Sequence, residues 1–279
     1  TYMIPNSSDN YILLHMLVAA IKSVYAFVYY RDSKAYMMAT SNVIDQEKMA
    51  VILQEVVGHQ YGDHFYPNMS GVLRSINYYP IGNETAEDGI ASLALGLGKY
   101  IVDGGLTLRV SPYHPDQVMQ TSEVETALRE TQTQFYALDM SDVGSDFKVN
   151  DGFNIMKLKV KDAEYDKSLN YIVSTFDPYD QMIYDGLYDG GRKIISFAGV
   201  LQQDVFPLPE ILQMSMKYGA GAMRRPVEIE FACNINEDKT GEFYLLQIRP
   251  IVEAKGMLEE DITKTSDNSC LLRSHNSLG

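Results

Sequence analysis

The chain has no tryptophan, only two cysteines, and fewer basic than acidic side chains: 23 Lys plus Arg against 37 Asp plus Glu, a net charge of −14 over 279 residues. Each shortage excludes something. Cys233 and Cys270 stand alone, without Cys-x-x-Cys or metal-ligand spacing, so neither a disulfide framework nor a thiolate metal site is expected. Two reduced thiols fit a cytoplasmic protein. A chain this acidic is not expected to carry a general nucleic-acid surface, whose affinity rests on basic residues. No run of about 18 uninterrupted apolar residues occurs, so no membrane span is expected, and no signal peptide is recognisable. The 20 tyrosines, without a basic surface beside them, read as packing rather than base stacking. The acidic balance leaves one ligand class open: a nucleotide site needs only a few local cations and a metal ion.

What is present begins with enough chain to bury a core as one large or two small domains. Ser7-Ser8-Asp9 offers an N-cap. After it, Leu13, Leu14, Leu17, Val18, Ile21, Val24, Tyr25 and Val28 follow helical spacing and predict a core-facing stripe. Strands are expected near 49–57, 70–76, 89–95 and 106–111. A second amphipathic helix is expected over 121–138, with Val124, Leu128, Phe135 and Leu138 inward. Strands are expected again over 156–160 and 194–201, then a helix over 207–218 with Pro209 in its first turn and Gly219 near its end.

The most informative stretch follows: Pro226-Val227-Glu228-Ile229-Glu230-Phe231 and Phe243-Tyr244-Leu245-Leu246-Gln247-Ile248-Arg249-Pro250. Strands alternate faces with period 2, so Glu228 and Glu230 share a face, as do Gln247 and Arg249. The polar segment 234–241 between them predicts a hairpin. Two carboxylates, an amide and a guanidinium then converge. Carboxylate and amide oxygens suit Mg²⁺; a guanidinium suits phosphate. A half-buried hairpin with a solvated face and cross-strand Glu–Arg pairs would carry the same pattern. A third reading, a hydrolytic carboxylate pair about 7 Å apart along the strand, leaves the Gln–Arg strand without a role.

This pattern resembles the end of the ATP-grasp nucleotide-binding domain of the pyruvate phosphate dikinase and phosphoenolpyruvate synthase family, where an acidic-x-Glu strand precedes a strand ending Leu-Gln-x-Arg-Pro. Other segments agree in order. Ala20-Ile21-Lys22-Ser23-Val24-Tyr25-Ala26 is similar to the family's A-I-K-x-V-x-A helix. Met49-Ala50-Val51-Ile52-Leu53-Gln54-Glu55-Val56-Val57 is similar to its V-x-V-Q-x-M-V hinge strand. Ser70-Gly71-Val72-Leu73 is similar to S-G-V-x-F-T-x-x-P, and Ala94 to Gly104 to G-L-G-E-x-V-V-x-G. The likeness runs from about Asn10 to Pro250 and is loose over 112–195.

The resemblance implies an α+β, ATP-grasp-like lobe with a mixed or antiparallel sheet flanked by helices. It implies a domain over 1–253, incomplete at its start, and a linker or the start of another domain over 254–279. It implies Glu230 and Gln247 as Mg²⁺ ligands, Glu230 and Arg249 as the catalytic pair, Arg249 on the ATP phosphates, Glu228 as supporting acid, and Gln54, Glu55, Val56 and Val57 around adenine and ribose. The partners it implies are ATP, a preceding lobe bearing a Gly-rich loop with Lys and Arg, and phosphohistidine and pyruvate domains of the same protein. Two positions depart from the family: Lys99 stands where an acid is usual, and Arg74 where an aromatic is usual. They support a second reading, a degenerate ATP-grasp domain that binds nucleotide or serves as scaffold without catalysis. Gly96-Leu97-Gly98-Lys99 is not a Walker A loop: Leu93 holds the first glycine's place, and Tyr100 follows the lysine. A tight glycine turn explains it.

Overall fold

The structure, a computed structural model, describes residues 2–4, 7, 9–31, 33–35, 48–141 and 152–251. The expected linker over 254–279 and Cys270 lie outside these residues. The described residues divide into two compact units, one from Thr1–Tyr66 and Tyr136–Leu158, the other from Pro67–Phe135 and Lys159–Gly279.

In the first unit, Asp9 caps helix α1 (Asn10–Ala26), its carboxylate accepting from the Tyr11 and Ile12 amides at 2.8 and 3.3 Å. The buried line along α1 is Met16, Ala20 and Ser23. The predicted stripe is thus partly wrong, because Leu14, Val18 and Tyr25 are exposed. After Asn10, only His15, Lys22 and Ser23 interrupt an otherwise apolar helix. The sequence therefore marks no polar face, and packing chooses which line to bury. With its 3₁₀ extension to Tyr29 this helix reaches 20 residues at mean hydropathy 1.8, enough by length and composition to cross a membrane. The core helix of a soluble protein meets the same criterion. The unit's sheet has the order β1-β2-β6-β7, formed by β1 (His59–Tyr61), β2 (His64–Tyr66), β6 (Gln134–Asp139) and β7 (Ile155–Lys159).

The second unit carries a five-stranded antiparallel sheet of order β12-β11-β3-β4-β5: β3 (Met69–Arg74), β4 (Ile90–Ala94), β5 (Leu108–Val110), β11 (Val227–Ile235) and β12 (Gly241–Pro250). One face is core. Ile229 pairs with Ile248 and Leu73, Leu73 with Ala91, and Ala91 with Val110. Helix α5 (Leu208–Met223) covers this face with Leu212 and Met216 buried. Burying such a side chain contributes roughly 1.5–3 kcal/mol. A second sheet, β10-β8-β9, joins β8 (Val173–Asp177), β9 (Met182–Asp185) and β10 (Arg192–Ile195). The α+β architecture with antiparallel sheets and flanking helices is the one expected.

Several boundaries differ from expectation. The helix predicted over 121–138 is only α3 (Val124–Glu130). The Thr131 hydroxyl donates to the Ala127 carbonyl at 2.6 Å and closes the helix, and the buried Gln132 amide clamps the Leu95 backbone. Phe135 and Leu138 are buried as predicted, but in strand β6. The strand expected over 194–201 stops at Ile195: Phe197, at φ 53°, turns the chain into helix α4 (Ala198–Leu201). Gly219 does not end α5, which runs on to Met223 and closes at Arg224 with φ 54°. A side chain at Gly219 would stand 2.7 Å from Ile248 Cδ1, so glycine sets how closely helix and sheet approach.

Gly71 has a similar reason. It pairs with Phe231 across β3 and β11, and a Cβ there would collide with the Phe231 ring, which also stacks on Phe243 at 5.1 Å between centroids. An aromatic ring covering a strand glycine restores apolar contact that the glycine lacks. Gly71→Ala is therefore expected to lower stability by about 1–3 kcal/mol through overpacking. Pairing it with Phe231→Leu should recover part of the loss. Urea melts of both variants check this, and a neutral Gly71→Ala would refute the role given to the ring.

Candidate functional site

The other face of the five-stranded sheet is polar, and register builds it. Glu228 on β11 pairs directly with Arg74 on β3 and Arg249 on β12. One step along, Glu230 pairs with Val72 and Gln247. The four residues predicted on the hairpin, Glu228, Glu230, Gln247 and Arg249, are thus brought together in two adjacent rows. The hairpin loop is shorter than expected: strand persists to Ile235 and resumes at Gly241, and Lys239 takes φ 67° in the turn.

Strict alternation fails at one point. A β-bulge between Glu230 and Phe231 shifts the register, so Phe231 pairs with Leu245 rather than Leu246. Leu245 then lines an apolar groove with Ile248, Ile211, Met214 and Tyr218, on the α5 side of the sheet. Bulges bend strands and re-aim side chains. Here Gln247 and Arg249 keep the polar face while Leu245 joins the helix side.

The closest contacts form a three-residue ladder. Arg249 donates Nε to Glu228 Oε1 at 2.8 Å and also its Nη2 to the same oxygen, while Arg74 donates Nε to Glu228 Oε2 at 2.7 Å. The Glu228 side chain is 8% exposed, against 38% for Arg74 and 58% for Arg249. Burial pushes the Glu228 carboxyl up, but hydrogen bonds and charge from the two arginines outweigh it and hold it below the usual carboxylate range. Hydrogen bonding to Glu228, and then its charge, raises Arg249. Glu230 is half-buried and Gln247 exposed. Farther along the second row, Ser92 pairs with Arg109. Arg109 is committed elsewhere, to Asn77 Oδ1 at 2.9 Å and the Tyr79 carbonyl at 2.6 Å.

The turn after β4 behaves as a glycine turn: Gly96 has φ 84°, and its carbonyl accepts from Ser70 Oγ at 2.6 Å. Helix α2 (Lys99–Val102) follows, and Lys99 Nζ meets Asp103 at 3.0 Å. Arg224 and Arg225 are exposed.

Gln54, Glu55, Val56 and Val57 belong to the first unit, with Gln54 and Glu55 exposed and Val56 and Val57 half-buried. The strand expected over 49–57 does not form; β1 starts at His59. A run of β-branched and aliphatic residues has strand propensity, but a strand also requires a pairing partner.

The family model described as pyruvate phosphate dikinase, AMP/ATP-binding domain, matches residues 6–269. The chain belongs to this family. Comparison with curated proteins finds no match. Family membership makes this a nucleotide-binding type of domain, from a class of proteins built for phosphotransfer. Sequence reasoning marked Arg74 only as a departure and gave it no role. The available signal was alternation: Ser70, Val72 and Arg74 share the face that pairs with Glu228 and Glu230.

The depressed Glu228 carboxyl gives a signed pH dependence. Its stabilising charge is fully present above its ordinary value near 4.5 and is lost as pH falls through the lower folded value. Glu228→Gln should cost about 1–3 kcal/mol at neutral pH, since both guanidiniums lose their anion but stay partly solvated. The gap between wild type and variant should close as pH falls below about 4.5. Thermal melts of both proteins between pH 7 and pH 3 measure it, and a gap constant with pH would count against the ladder.

Proposed function

We propose that the polar face of the β3–β11–β12 sheet holds the phosphates of ATP in a protein similar to phosphoenolpyruvate synthase or pyruvate phosphate dikinase. The observation that carries this reading is the direct pairing of Glu230 with Gln247, one register step from Arg249, in a chain matched by the AMP/ATP-binding family. Arg249 neutralises negative charge on the phosphoryl being transferred, and Glu228 orients it. Such transfer asks for positioning and electrostatic stabilisation more than covalent chemistry from the protein. Gln54 to Val57 are assigned to adenine and ribose through the family likeness.

The donor set suits Mg²⁺. Among the described residues no three His, Cys, Asp or Glu side chains form a metal cage. Mg²⁺ is commonly held by one or two carboxylates together with substrate phosphates and water. Glu230 and Gln247 supply hard oxygen donors of this kind. Held by Glu230 and Gln247, a bound Mg²⁺ would supply positive charge beside the ATP phosphates. In the full-length protein the phosphoryl passes to a histidine and on to pyruvate, in the cytoplasm; these steps extend the family likeness.

One observation favours a non-catalytic nucleotide-binding or scaffold role instead: Glu228 already pairs with both arginines. Calorimetry decides between the two. Mg·ATP titrated into the full-length protein should bind, and Glu230→Gln should weaken binding at least tenfold and abolish metal-dependent turnover. Wild-type binding and turnover that survive Glu230→Gln unchanged would overturn the assignment of the metal to Glu230. Absence of binding by the unmutated protein would leave the scaffold role.

A further inference from the structure

We infer that Arg74 is a second phosphate-binding residue, forming with Arg249 a two-guanidinium clamp on the terminal phosphates of a nucleoside triphosphate. The inference rests on the ATP reading above and extends it to a residue that reading does not use.

Geometry is the first support. Arg74 and Arg249 flank Glu228 on the two neighbouring strands, in one register row. Adjacent strands lie about 4.8 Å apart, so their Cα atoms stand roughly 10 Å apart. Both side chains lean inward onto the two oxygens of one carboxylate. The same reach can bring both onto neighbouring phosphates of one polyphosphate.

Donor inventory is the second support. An arginine offers five N–H donors in a planar fork matched to carboxylate or phosphate oxygens. Among the described residues, Arg74 spends its Nε on Glu228 and its Nη groups meet no acceptor. Arg249 spends Nε and Nη2 on one oxygen and keeps Nη1. The carboxylate is almost fully covered and the guanidiniums are not, so a ligand arriving from solvent meets the cations before the anion. This row sets two cations against one anion, and Glu230 in the next row, whose charge also acts on Arg249, brings the four-residue cluster to balance. Polyphosphate is the ligand class that answers the double fork.

The role of Glu228 follows. It fixes the orientation of both forks before a ligand arrives, which lowers the ordering cost of binding. Glu228 is thus a positioning residue, while Arg74 contacts the ligand.

The test uses the full-length protein and three probes: ATP, inorganic tripolyphosphate and AMP. Arg74→Gln leaves the Arg249–Glu228 pair in place, so a folded variant is expected. It should weaken ATP and tripolyphosphate roughly tenfold to hundredfold, the range for removing a charged hydrogen-bond donor. AMP, which lacks the terminal phosphates, should change less than about threefold on the same scale. Arg74→Lys keeps the charge but loses the fork, and should fall between wild type and Arg74→Gln. If Arg74→Gln weakens ATP and AMP equally, or lowers only the melting temperature, Arg74 is structural and the clamp is wrong while the ATP reading stands. If unmutated protein binds none of the three, both fail. If Arg74→Gln does not fold, Arg74→Lys decides alone: ATP affinity equal to wild type overturns the clamp, and a loss confined to ATP and tripolyphosphate supports it.

Discussion

Register across three antiparallel strands is the constraint on which the rest of the second unit depends. Each residue of β11 between Glu228 and Phe231 has one partner on β3 and one on β12, and each partner set is either wholly polar-facing or wholly core-facing. A slip of one residue would exchange the faces. Glu228 would then enter the apolar layer of Leu73, Ala91 and Ile248, while Ile229 would face the arginines. The apolar pairs hold the register by burial, and the Arg74–Glu228–Arg249 row opposes slippage from the opposite face. Core and polar face are therefore two consequences of one alignment.

The bulge beside Glu230 reconciles two demands on β12. Gln247 and Arg249 must reach the polar face, yet Leu245, two residues earlier, lies on the helix side with Ile248. Strict alternation would put Leu245 beside Gln247 and Arg249. One extra residue in β12, Leu246 against the Glu230–Phe231 step, resolves the conflict. Gly71 and Gly219 serve the same layer on either side. One leaves room for the Phe231 ring over the sheet, and the other lets α5 approach Ile248 closely. The polar rows thus stand on a floor whose spacing is set by two missing side chains.

The hairpin was legible because both its strands alternate strongly and end on turn-forming residues; the shared face of Glu228 and Glu230, and that of Gln247 and Arg249, followed from period alone, whereas the Glu230–Gln247 pairing needed the register. The strands near 70, 90 and 108 stand where they were expected. What escaped has identifiable causes. The bulge is a difference of one residue between two strands, which neither strand reveals by itself. The buried line of α1 escaped because that helix is apolar nearly all round. The 49–57 segment has the propensity of a strand, but among the described residues it forms none. The long helix predicted after 121 was cut by Thr131 and by Gln132, whose buried side chain pairs with the backbone of Leu95, a residue 37 positions earlier. Arg74 was visible as an unusual residue, but its partner lies 154 positions away, and only register connects them.

That connection also decides how an acidic chain can present cations. A solvent-exposed Arg–Glu pair is worth little, because water competes for both ions and long side chains lose freedom. Here the acid is nearly buried and shared, while each arginine keeps part of its surface in water. Breaking either contact would leave a covered carboxylate with fewer donors, so the cost of loss exceeds the net worth of either pair. The arginines are held at fixed positions by a group that solvent barely reaches. A buried carboxylate between two arginines is therefore an arrangement that holds two partly exposed cations in place within a strongly negative chain, without burying an uncompensated charge.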